Sequence, residues 1–135
     1  CYNLIRREPE EEGILRQAKE NGVGFIGFSP LAQGLLTDRY LKGIPSGSRA
    51  SENRTLKKEI ITPEILNSLE NLDKMAAERG QTLAQMALAW ILSDSLVTSV
   101  IVGASSIGQL DSNLQSIRNT SFSAEEIEQI NALTL

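Results

Sequence analysis

The chain has 135 residues, 41% of them hydrophobic, with 17 acidic against 13 basic side chains and a formal charge of −4 at pH 7. That is material for one core of ordinary size, and it argues against the concentrated positive field that nucleic acid or an anionic membrane surface requires. Histidine is absent and Cys1 is the only cysteine, which rules out an internal disulfide, a histidine- or cysteine-built zinc site and a Cys-His nucleophile, and points to a reducing, cytoplasmic setting.

The first residue is not Met. Cys1-Tyr2-Asn3-Leu4-Ile5 reads as the tail of an element already under way, with a third strand expected over residues 2–5. Residues 10–21 place Ile14, Leu15 and Ala18 on one side and charges on the other, and Gly22 supplies the helix stop. The acidic run Glu8, Glu10, Glu11 and Glu12 complements the dipole at that helix start. Residues 23–28 form an apolar run too short for a helix, ended by Ser29-Pro30, and predict a strand buried on both faces. Residues 32–62 hold most of the glycine, serine and basic punctuation and read as one long loop.

Thr62-Pro63 offers an N-cap and an N1 proline, with Ile65, Leu69, Leu72 and Ala76 as an apolar stripe ending before Gly80. Thr82 with Gln85 is a capping-box pattern opening a helix that carries Leu83, Met86, Ala87, Trp90 and Ile91. Residues 98–103 predict a second strand. Ser106 then opens a helix whose Ile107, Leu110 and Leu114 are expected to point inward, and Ser123 with Glu126 caps a last helix bearing Ile127, Ile130 and Leu133. Strand and helix alternate, so the class is α/β with parallel strands. Two or three such strands do not make a covered sheet alone, so the rest of the architecture is expected outside these residues or on another chain.

Three features are able to carry chemistry. Gly27-Phe28-Ser29-Pro30-Leu31-Ala32-Gln33-Gly34 leaves the carboxy end of a strand; Phe28 presents a ring face, and Ser29, Gly34 and nearby amides allow close approach of a pyrophosphate. The same residues also read as a plain turn, and chemistry alone leaves these level. Gly103-Ala104-Ser105-Ser106 opens a helix where amides and dipole favour an anion, with Ser106, Gln109 and Asn113 on one polar face. Here too a simple capping box, with Asn113 facing water, competes. Arg39 and Arg49 suit a phosphate through their forked donors, although an arginine in a loop is most often just solvated.

Together these blocks resemble the aldo-keto reductase superfamily over essentially the whole chain. The run from Val23 to Thr37 resembles that family's seventh barrel strand and its loop. The run Ser99-Val100-Ile101-Val102-Gly103-Ala104-Ser105, with Gln109-Leu110 and Asn113, resembles the eighth strand and the cofactor helix. The likeness is nearest to the branch holding bacterial L-glyceraldehyde 3-phosphate reductases and potassium-channel β subunits. The resemblance implies that residues 1–135 are the carboxy-terminal, cofactor-binding portion of a (β/α)8 TIM barrel, from about strand 6 or 7 through strand 8. It implies NADP(H) as cofactor, with Phe28 stacked on the nicotinamide and Ser29, Pro30, Leu31, Gln33 and Gly34 along the pyrophosphate. Arg39 and Arg49 would come from the covering loop, and Gly103, Ser105, Gln109 and Asn113 would hold the adenosine end.

Ser106 departs from the Lys or Arg that many members carry, so the preference for NADPH over NADH rests largely on Arg49. The family's Asp, Tyr, Lys and His catalytic group has no counterpart here, and Tyr2 and Tyr40 do not match the tyrosine's motif; no catalytic residue is expected in the chain. The implied substrate of the intact protein is a small carbonyl compound, with this portion inactive alone and prone to self-association or to pairing with the missing amino-terminal half. A cofactor-binding regulatory subunit, like the channel β subunits, is the alternative.

Overall fold

A computed structural model describes residues 1–48, 50–52 and 56–134. Its elements in chain order are α1 (Glu8–Glu11), α2 (Ile14–Glu20), β1 (Ile26–Phe28), α3 (Pro63–Glu78), α4 (Leu83–Ser93), β2 (Ser99–Ile101), α5 (Ile107–Leu114) and α6 (Ala124–Thr134). β1 and β2 pair in parallel, with Ile26 opposite Ser99 and Phe28 opposite Ile101. Helix and parallel strand alternate as the composition pattern requires, and the layer of helices lies on one face of the sheet only.

Period two along the strands explains that one-sidedness. Gly27 is buried and Val100 packs against the core, whereas Ile26, Phe28 and Ile101 on the other face are exposed. The expectation of a strand buried on both faces therefore fails for the described residues: only one face meets a helical layer. Both strands are also shorter than the apolar runs that announced them. Residues 23–25 lead in through side-chain pairing, the Phe25 amide donating to Thr98 Oγ1 at 3.0 Å.

The third strand expected over residues 2–5 is not formed. Asn3 and Arg6 exchange backbone hydrogen bonds of 3.1 Å and close a tight turn, leaving the Tyr2 amide to reach the Phe28 carbonyl at 3.3 Å. Tyr2 belongs to the core, its ring 5.5 Å from that of Trp90 and its hydroxyl donating to Glu10 at 3.0 Å. Burial first, and the Glu10 carboxylate second, push this phenol well above its ordinary range. The helix expected over 10–21 is two helices, because Gly13 takes a left-handed φ of 75° that interrupts the α ladder.

α3 and α4 build the core with Leu69, Leu72, Met75, Ala76, Leu83, Met86, Ala87, Trp90 and Ile91. Thr62 caps α3, and Thr82 with Gln85 forms the predicted reciprocal box on α4. Two arginines hold α6 against this layer. Arg79 donates to Glu126 and to the Ser121 carbonyl and lies over the Phe122 ring. Buried Arg7 lies over Trp90 and donates to Asn131 Oδ1 at 2.6 Å and Thr134 Oγ1 at 2.7 Å. The long loop is no solvent-facing strap: it turns through 3-10 segments at Ala32–Gly34, Asp38–Tyr40 and Lys58–Ile60 and buries Leu35, Leu36, Tyr40, Ala50 and Leu56.

α5 overturns another expectation. Ile107, Leu110 and Leu114 do not point inward; they are 82%, 45% and 54% exposed, and Ile117 beyond them is exposed as well. Its buried side chain is Asn113. The periodicity of the stripe is helical, but the helix turns its polar face to the cleft and its apolar face away from the described core.

Candidate functional site

The carboxy ends of β1 and β2 open into a cleft of about 610 Å³, in the range of small-ligand sites. Ser29, Pro30, Leu31, Gln33 and Gly34 line one wall and Gly103, Ser105 and Gln109 the other, with Arg39 over the rim. An adjoining hollow shares Leu31, Gly34, Thr37, Arg39 and Gln109 with it and is also lined by Asn113. Parallel pairing in register is what brings these walls together, since it sets both strand ends level. Phe28 stands on the open sheet face beside Ile101, which lines the cleft.

The first wall is strained. Ser29, Ala32 and Gln33 all have left-handed φ, of 53°, 47° and 61°. For residues with a Cβ this costs on the order of 1 kcal/mol each or more, and such strain clusters at ligand sites. The strained conformation is held by short bonds: Gln33 Nε2 donates to Ser29 Oγ at 3.0 Å, and the Thr37 hydroxyl donates to the Gly34 carbonyl at 2.7 Å. The Ala32, Gly34, Leu35 and Leu36 amides donate to carbonyls within the same turn.

On the second wall Ser106 is the N-cap of α5, its Oγ accepting from the Gln109 amide at 3.1 Å. The reciprocal half of a capping box is not made. Gln109 Oε1 instead accepts from the Ser105 amide at 2.7 Å and the Ser105 hydroxyl at 3.0 Å. That leaves the Gln109 amino group, the donor end, for the cleft. Asn113 is buried rather than facing water, and among the described residues its Nδ2 has no acceptor. A buried, unpartnered donor at the wall of a cleft fits a ligand that brings an acceptor. An amino group, a guanidinium and this orphaned donor form a set suited to a phosphorylated ligand. Arg49 lies outside the described residues.

Thr37, Gly47, Val102 and Ala104 also line the cleft; none was given a role of its own from the sequence, although Thr37 and Ala104 lie in the blocks that drew attention to the two walls. Among the described residues no group of histidine, cysteine, aspartate or glutamate side chains is arranged to hold a metal ion, and no helix is long and apolar enough to cross a membrane.

Strand-end loops of this kind, on parallel strands backed by helices, define part of an enzyme barrel. Residues 1–134 match the aldo/keto reductase family, and the chain belongs to it. It is 49% identical over 133 residues to the L-glyceraldehyde 3-phosphate reductase of Escherichia coli K12, covering 96% of this chain and 38% of that protein. It is 40% identical over 119 residues to a probable voltage-gated potassium channel β subunit of Arabidopsis thaliana, covering 86% of this chain and 36% of that one. A crystal structure of a thermostable aldo-keto reductase with the inhibitor epalrestat superposes with a TM-score of 0.67 at 25% identity, covering 98% of this chain and 37% of that one. The fold is accordingly a carboxy-terminal part of the aldo-keto reductase TIM barrel, and the chain spans under two fifths of the relatives' length.

Proposed function

We propose that residues 1–135 are the cofactor-binding half of an NADPH-dependent reductase of small aldehydes or ketones. The cleft carries this reading: two strand-end walls converge there, one of strained backbone and the other ending in a buried amide donor unpartnered among the described residues. In this reading residues 29–34 hold the pyrophosphate, Phe28 offers a flat face to the nicotinamide, and Ser105, Gln109 and Asn113 hold the adenosine end. Arg39 and Arg49 close over the phosphates, with the preference for NADPH resting on Arg49. Hydride delivery to a carbonyl carbon is the chemistry the reduced nicotinamide supplies when bound. This chain's residues orient the ligand and set which nicotinamide face is offered.

Tyr2 is committed to Glu10 and to the core, and neither it nor Tyr40 matches the family's catalytic tyrosine motif, so proton donation to the nascent alkoxide is assigned to residues outside this chain and the isolated chain is inactive. The exposed apolar groups Ile26, Phe28, Ile101, Ile107, Leu110 and Leu114 support pairing with the remainder of the barrel, or self-association when that is absent. The setting is cytoplasmic. A regulatory subunit is the second reading, favoured by the likeness to channel β subunits.

The test uses the full-length product of the gene. NADPH titrated calorimetrically is expected to bind, and its absorbance at 340 nm to fall when L-glyceraldehyde 3-phosphate or another small aldehyde is added. Binding without turnover on any carbonyl would favour the regulatory subunit; absence of binding would refute both.

A further inference from the structure

Among the described residues, the amino-terminal turn donates a side-chain hydrogen bond into the strained wall of the cleft. The peptide between Ser29 and Pro30 has no N–H, because proline lacks one, so its orientation is set through the Ser29 carbonyl alone. Ser29 holds a φ of 53° directly before Pro30, a conformation disfavoured twice over, by its Cβ and by the proline ring that follows. Its carbonyl accepts two hydrogen bonds. One, from the Ala32 amide at 3.0 Å, is internal to the same turn and moves with it. The other, also 3.0 Å, comes from Asn3 Nδ2, 26 residues away.

Asn3 is itself fixed. It is fully buried, its Oδ1 accepts from the Ile5 amide at 3.1 Å, and its backbone closes the turn with Arg6 in both directions. Its second Nδ2 hydrogen is directed at Cys1 Sγ, 3.7 Å away. The carboxamide is therefore wholly used, and it is used to anchor a strained carbonyl from outside the loop.

We propose that Asn3 is a positioning residue for phosphate binding: by fixing the Ser29 carbonyl it holds Ser29 and Leu31 in the orientation in which that wall faces a pyrophosphate. The assignment rests on the dinucleotide reading of the cleft. Removing the Nδ2 donor releases the loop without touching the adenosine wall at Ser105, Gln109 and Asn113, which is built on β2 and α5.

The experiment compares ligands with and without a pyrophosphate in the full-length protein. Calorimetric titration of Asn3→Ala is expected to show NADPH and ADP-ribose weakened about tenfold, the equivalent of one hydrogen bond, with 2′-AMP within about twofold of the parent protein. Asn3→Asp keeps the shape and the acceptor for Ile5 but cannot donate when ionised, and should give the same pattern; it decides the matter where Asn3→Ala does not fold. Equal weakening of all three ligands would mean a merely structural residue, and unchanged binding of all three would mean no role; either overturns the proposal. Hydrogen exchange of the amides of residues 31–36 reads the anchor with no ligand present, and must quicken in either variant. A parent protein that binds none of the three ligands would sink the dinucleotide reading, while the exchange rates would still report on the anchor.

Discussion

Residues 29–34 leave the carboxy end of β1 while residues 69–91 build the helical core beside the same short sheet, and the two are built by opposite rules. The helical side keeps regular α backbone, with each helix start capped and its apolar stripe buried. The cleft side puts three residues with side chains into left-handed backbone, keeps them partly open to solvent, and has the unpartnered Asn113 donor across from them. Strain and unmet donors cost stability, and the packed side is what offsets that cost. On the proposed reading of the cleft, the division separates positions where substitution changes folding from positions where it changes binding.

The sharpest way to break this division is Leu72→Ala. The side chain is fully buried in the core between α3 and its neighbours, so a loss of about 2–5 kcal/mol is expected in urea unfolding. The affinity of the folded population for NADPH should not change. Arg7→Ala comes next. It removes the donors to Asn131 and Thr134 and the stack on Trp90, and should cost about 2–3 kcal/mol. Its first sign in hydrogen exchange should be faster exchange in α6.

On the cleft side the sign reverses. Asn113→Leu replaces a buried donor that has no partner, so stability should hold or rise by up to about 1 kcal/mol. NADPH affinity should fall about tenfold in the same variant. A stability loss like that of Leu72→Ala would erase the contrast between the two sides.

The smallest effect is a pH dependence at the start of α6. The bond from the Ser123 backbone amide first, then Arg79 and last the Ser123 hydroxyl hold the Glu126 carboxyl below the usual carboxylate range against the opposing effect of burial. A lowered folded value means the contribution is present above the unfolded value of about 4.3 and is lost as pH falls through the folded one. Thermal melts between pH 7 and pH 3 should lose stability on that acid side, and Glu126→Gln should flatten the loss.

Much of the packed side was legible in the order of residues. Thr62-Pro63, the Thr82 and Gln85 box and Ser123 with Glu126 announce helix starts by local hydrogen bonding, and local bonding survives whatever the rest of the chain does. The walls of the cleft were legible too, because Ser29-Pro30 and Gly103 mark strand ends. The direction of α5 was not. A helical stripe shows which residues share a face, but not which face meets a neighbour, so Ile107, Leu110 and Leu114 were assigned inward and lie outward. Gly13 misled in the same way: one glycine is tolerated in a helix or ends it, depending on the packing of the two halves.

By itself the sequence determined the α/β class, the starts of α3 to α6, the two strand ends and the family, because periodicity, caps and turn residues act over a few positions. Only the tertiary structure decided that Asn3 reaches Ser29, that Gln109 turns to Ser105 instead of closing a box on Ser106, and that Asn113 is buried with a free donor. Those are choices between partners far apart in the chain or nearly equal nearby. A hydrogen-bonding side chain takes whichever acceptor the packed backbone brings within reach, and no local pattern encodes that distance.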